Sequence, residues 1–147
     1  MKLSQIEEPE GGPTDPSAPG AAIGIDIGSA EAEVAFSVGG NAVVLADREG
    51  FERPLPVPET SAGATQWREL FEGARIRAER ALARPVSHAA IVLAGSAEGD
   101  VSNKLREAAE AAGLQVLRLI ASVELSAGAN AAMSAAVFAE DLAPRLD

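Results

Sequence analysis

The stretch Ile23-Gly24-Ile25-Asp26-Ile27-Gly28-Ser29 brings a carboxylate, a glycine and a hydroxyl to the end of an apolar run. Asp26, Gly28 and Ser29 are the candidate ligand-binding residues, because backbone amides in such a turn form a nest for an anion. Glu31 follows two residues after Ser29 and sets negative charge where a phosphate would approach. The competing reading is a plain turn without a ligand. His88 is the single histidine, and the chain has no cysteine, so no metal site is expected. Arg68, Arg75, Arg77, Arg80 and Arg84 alternate with Glu69, Glu72 and Glu79, the pattern of a solvated helix face. No catalytic residue stands out.

The elements that would position these residues follow from local pattern. Ala22–Ile27 is apolar at nearly every residue, as in a central strand buried on both faces. Ala32–Val38 is a second strand, and Gly39-Gly40 or Gly40-Asn41 turns it into a third at Ala42–Ala46. Asp47-Arg48-Glu49-Gly50 closes that strand. Pro54, Pro56 and Pro58 keep Arg53–Pro58 extended. Thr65–Arg84 reads as an amphipathic helix with Trp67, Leu70, Phe71, Ala74, Ala78, Ala81 and Leu82 on one face, stopped by Pro85. Arg68–Glu72 and Arg75–Glu79 are i,i+4 pairs along it.

His88–Ala94 is a buried strand, Asp100–Ala112 a helix ended by Gly113 as a left-handed cap, and Leu114–Ile120 a fifth strand. The last helix is expected over Ser122 to about Glu140, with Ser122 as its N-cap. It is apolar nearly all round, so it must be covered on more than one side. Small residues at Gly128, Ala132 and Ala136, together with Ser122 and Leu125, are the candidate interface with a partner helix or a second copy. The order βββαβαβα predicts an α/β domain with a five-stranded mixed sheet and helices on both faces.

Two of these segments resemble a known family. Ile23–Ser29 followed by a returning strand is similar to the first phosphate loop of sugar kinases, actin and the 70-kDa heat-shock chaperones. Ala112–Ile120 followed by a small-residue helix resembles the DnaK-type segment that runs into Asn-Glu-Pro-Thr-Ala-Ala-Ala. The resemblance implies a ribonuclease-H-like unit, one lobe of an actin-like ATPase, over residues 22–141. In that family the aspartate matching Asp26 orders magnesium-bound water. The positions of Asn-Glu-Pro-Thr are held here by Ala121, Ser122, Val123 and Glu124, so the metal-holding glutamate and the proline are missing. Only Arg53–Thr65 is available where the chaperones carry their lysine-bearing subdomain, and these 147 residues hold no counterpart of the second lobe.

Composition narrows the functions further. The net charge of -10 and the lack of tyrosine oppose nucleic-acid binding. No run approaches the roughly 18 apolar residues of a membrane span. With Glu7, Glu8 and Glu10 and no apolar core near the start, no secretory signal is expected; the absence of cysteine fits a reducing compartment, so a soluble cytoplasmic protein is expected. Residues 1–21 hold four prolines and little that is apolar, and a disordered acidic tail is expected there. Met1–Ile6 is a candidate docking peptide within it, and residues 142–147 form a short C-terminal tail.

The resulting expectation is a degenerate single-lobe chaperone-like domain that binds protein, as a homodimer or with a partner, and has no cofactor. ATP or ADP with magnesium would enter only if dimerisation or a second lobe completed the cleft. The enzyme alternative is a YqgF-type Holliday junction nuclease, which shares the Gly-x-Asp-x-Gly opening. Residues Ile120–Glu124 lack the Asp-Glu-Arg which that family places after this strand.

Overall fold

The computed structural model describes residues 21–45, 55–59, 62–94, 99–125 and 128–143. The tail read at 1–21, apart from Ala21, lies outside the described residues, as do Met1–Ile6 and the turn at 47–50. Among the described residues five strands and three α-helices follow one another: β1 (Ala21–Asp26), β2 (Glu33–Val38), β3 (Asn41–Val44), α1 (Ala64–Leu82), β4 (Val86–Leu93), α2 (Gly99–Ala111), β5 (Gln115–Ala121) and α3 (Ala131–Leu142). They form an α/β fold whose single mixed sheet has the order β3-β2-β1-β4-β5. The meander β1-β2-β3 is antiparallel, whereas β4 and β5 run parallel to β1.

Side-chain alternation along the strands divides the core into two layers. Ile23, Ile25, Val34, Ala89 and Ile91 face α1 and α2, where they meet Trp67, Leu70, Phe71, Ala74, Leu105 and Ala108. Ala22, Ala90, Val92 and Ile120 face the other way, against Ala135 and Ala139 of α3. Ala35 joins Ala132 and Ala136 in a third cluster on that face. The face of α1 expected to be inward is the one that packs, and Trp67 stacks on Phe71 with ring centroids 6.3 Å apart. Gly113 takes its left-handed cap at φ +94.

α1 is not simply a solvated arginine face. Arg75 donates from Nε to the Ala112 carbonyl at 2.7 Å and pairs with Glu79 at 3.0 Å. Glu79 in turn accepts from the Val86 amide at 3.0 Å. The pair therefore ties α1 to the end of α2 and the start of β4. Arg68 and Glu72, the other i,i+4 pair, stand exposed.

The last helix departs from the sequence expectation. Ser122–Glu124 is a single 3-10 turn, and α3 begins nine residues later, at Ala131. Asn130, not Ser122, is the N-cap, and its side-chain oxygen accepts from the Met133 amide at 2.9 Å. Gly128 lies before the helix at φ +82, a left-handed conformation that a helix interior excludes. The expected helix fails because residues 128–130 supply a turn and a cap of their own. At the other end, the tail read from 142 still contains helix, since Leu142 closes α3.

α3 lies so close to the sheet that backbone meets backbone. A Cβ on Gly24 would fall against the Ala136 amide nitrogen and within 2.5 Å of the Ala132 carbonyl oxygen. Both ends of the helix are fastened to β2 and its turn. Asn130 Nδ2 donates to Glu33 Oε1 at 2.9 Å. Ten residues on, Glu140 accepts from Ser37 Oγ at 2.8 Å and from the amides of Gly39 and Gly40. Gly24→Ala is expected to displace α3 and to cost about 3 kcal/mol or more, because rigid backbone and not a flexible side chain occupies the space. Chemical denaturation of the variant beside the parent measures it.

Candidate functional site

The parallel strands β1, β4 and β5 end at one edge of the sheet, which gathers Asp26, Ala94 and Ser122. The chain leaves β1 toward β2 and leaves β4 toward α2 and β5, so the two connections diverge between these neighbours. Such a divergence at the carboxyl ends of strands is where open α/β sheets form their ligand crevice. The sequence candidates Asp26, Gly28 and Ser122 therefore do come to one place. The Ile27 amide reaches the Val92 carbonyl at 3.0 Å, and a Cβ on Gly28 would lie 3.5 Å from the Ala94 nitrogen.

The groups that could greet a ligand are used within the protein. Asp26 Oδ1 accepts from the Gly28 amide at 2.8 Å, so that amide is already engaged within the turn. Ser122 Oγ donates to the Ala94 carbonyl at 3.3 Å. Ser29 and Glu31 are exposed. The turn after β1 is pinned by an extended segment, with the Ala32 amide donating to Leu55 O at 2.7 Å and the Val57 amide to Ala30 O at 2.8 Å. This segment, read from sequence as extended because of its prolines, bridges Glu31 to Pro56.

Beyond the pinned turn lies an open groove of about 350 Å³ between Leu55–Pro58 and the first turns of α1, lined also by Gln66, Glu69 and Leu70. Sequence reading missed it, because nothing in the proline spacing tells which helix the segment will flank.

The turn after β5 carries the second feature of this edge. Glu124 bends back to accept from the Ala121 amide at 2.8 Å and from Arg118 Nη2 at 3.1 Å. This stretch is a 3-10 turn and not part of an α-helix. Arg118 also lies over the Phe138 ring, 5.0 Å from its centroid, and so joins β5, the turn and α3. On this braced turn Val123 is 86 % exposed, the most exposed large apolar side chain among the described residues.

The interface candidates read from sequence separate into two groups. Ala132 and Ala136 have no exposure at all and seat α3 on Gly24, so they cannot reach a partner. Their small size serves the sheet. Ser122 and Leu125 are half-buried, and Gly128 is exposed with open space where its Cβ would be.

His88 is buried on β4 with Ser87 Oγ 2.7 Å from its Nδ1. Among the described residues no three His, Cys, Asp or Glu side chains gather as metal ligands. Burial lowers the His88 pKa from 6.5, with a hydrogen bond to the Gln115 side chain opposing it. The folded state thus resists a proton that the unfolded chain accepts. Stability is complete above pH 6.5 and is lost as pH falls through the depressed folded value. His88→Gln should flatten this part of the stability–pH profile relative to the parent, as read by urea midpoints between neutral and mildly acid pH.

Among the described residues no helix is long and apolar enough to cross a membrane. No protein-family model matches the chain, and no curated protein matches its sequence.

Proposed function

We propose that this chain is a degenerate, single-lobe chaperone-like domain that binds protein and does not hydrolyse ATP. The meander followed by two parallel strands, in the order β3-β2-β1-β4-β5, supports the ribonuclease-H-like reading of the fold. One observation carries the functional reading. The Gly28 amide, which a phosphate loop would direct at its nucleotide, is already bonded to the Asp26 carboxylate. A triphosphate would have to displace that carboxylate and remain beside it and Glu31, against like-charge repulsion. With the glutamate and proline of Asn-Glu-Pro-Thr also missing, the residues present do not fit magnesium nucleotide.

Protein contact is supported at the same edge by Val123, an exposed apolar side chain on a turn that Arg118 and Glu124 hold rigid. A preorganised apolar anchor loses little conformational freedom when it docks. The Leu55–Pro58 groove adds a concave surface of mainly apolar lining.

Calorimetric titration with ATP and ADP in magnesium tests the reading, and no binding heat is expected. Micromolar binding that disappears in Asp26→Ala would overturn it and return the chain to the nucleotide-binding chaperones. A photo-crosslinker placed at Val123 should capture a discrete protein partner in cells, and a Val123→Asp substitution next to a crosslinker at Ser122 should reduce that capture about tenfold or more. Equal yields would remove Val123 from the interface.

A further inference from the structure

We propose that the β3 edge of the sheet is a self-association surface, on which a second copy of this chain pairs antiparallel about a two-fold axis. This surface uses none of the residues of the carboxyl edge, so it stands or falls separately from the functional reading above.

The hairpin geometry determines which backbone groups are free for such pairing. Gly39 and Gly40, at φ +61 and +83, form a two-residue turn of the type in which both central residues are left-handed. Val38 and Asn41 close this turn, and Phe36 faces Val43. Those pairs exchange hydrogen bonds across the β2–β3 ladder, so the intervening Ala42 and Val44 turn their amides and carbonyls outward. Among the described residues no further backbone bond reaches Ala42 or Val44 on that side.

The two sheet edges are treated differently. β5 carries Arg118, paired with Glu124, and Arg106 donates to its Val116 carbonyl at 3.3 Å. Charged side chains of this kind blunt an edge against pairing. β3 has no charge, no proline and no bulge in its register with β2. The twelve residues Val34–Leu45 hold no ionisable side chain, although the chain carries a net charge of -10. Two such acidic copies approach most easily where a strand carries no charge of its own, as here; the Glu140 carboxylate on the α3 side is taken up by Ser37 and the turn amides.

Apolar surface continues along the hairpin. Val38 is 64 % and Val43 48 % exposed, both on the face of the sheet opposite α3. The pairing that matches the outward groups sets Ala42 of each copy against Val44 of the other, with four backbone hydrogen bonds. Val43 then meets its own symmetry mate at the close spacing of a non-hydrogen-bonded pair. The interface is isologous and closes as a dimer with one continuous ten-stranded sheet. Its small size makes a weak dimer, dissociating in the micromolar range.

Sedimentation of the full chain over a concentration series, combined with amide hydrogen exchange, tests the proposal. The expected result is a monomer–dimer equilibrium that tightens with added salt, with Ala42 and Val44 amides protected only at high concentration. Val43→Lys places two like charges opposite each other and should raise the dissociation constant about tenfold or more. Val43 is half exposed, and an unchanged helical circular dichroism spectrum verifies the fold. A monomer at every concentration overturns the proposal. So does a dimer that Val43→Lys leaves intact, or one in which those two amides exchange equally fast at low and high concentration.

Discussion

Everything on one side of this sheet depends on the missing side chain at Gly24. The amide of Ala136 and the carbonyl of Ala132 occupy the volume a Cβ would need, so α3 rests on β1 by its backbone. A helix held that close can present only small residues downward, and Ala132, Ala135, Ala136 and Ala139 are all fully buried. Alanine adds little apolar area per residue, so the compensation lies in close packing and in the absence of side-chain entropy to lose. The large side chains lie on the other face, where Ile23, Ile25 and Ile91 meet Trp67, Leu70 and Phe71. The domain thus has a thick apolar layer and a thin one, with the glycine on the thin side.

A thin layer provides little to set the helix along its axis, and polar contacts do so instead. Asn130 caps the helix and holds Glu33 at the start of β2. Glu140 holds Ser37, Gly39 and Gly40 at the end of the same strand. The turn amides that Glu140 accepts belong to left-handed glycines, whose N–H groups converge on one carboxylate. The hairpin and the helix thereby fix each other. Arg118, between Glu124 and the Phe138 ring, repeats the arrangement at the opposite margin of the sheet.

Most of the architecture was legible in the sequence, because periodicity and turn chemistry agree over it. The run at β1, the Gly-Gly hairpin, the Trp67–Leu70–Phe71–Ala74–Ala78 stripe and the Gly113 cap each carry a local physical signature, and each forms an element in the structure. The start of α3 was not legible. Residues 122–130 are as rich in small residues as the helix beyond them, and small residues do not distinguish a helix from a connection. Asn130 and Gly128 were the available signals, a cap residue and a left-handed glycine placed just ahead of the true start. The same ambiguity put Ala132 and Ala136, both fully buried, among the interface candidates. A stripe of small residues marks close approach, but only the structure tells whether the approach is to a partner or, as here, to β1.

The candidate site was legible in position and not in chemistry. Spacing placed Asp26 and Gly28 at a strand end and the fold brings them to the carboxyl edge, yet no spacing could reveal that Asp26 bonds the Gly28 amide. That bond decides what the turn offers. A turn whose amide is bonded to its own carboxylate is stable, because the charge-assisted bond satisfies donor and acceptor together. Ser122 is likewise engaged by Ala94, and Glu124 by Ala121 and Arg118. Each polar group singled out at this edge for ligand chemistry, apart from the exposed Ser29, has a partner inside the domain. What the edge still presents to solvent is shape and apolar surface, the Leu55–Pro58 groove and Val123. Shape and apolar surface select proteins more readily than phosphates, and the recognition role proposed for this edge rests on that difference.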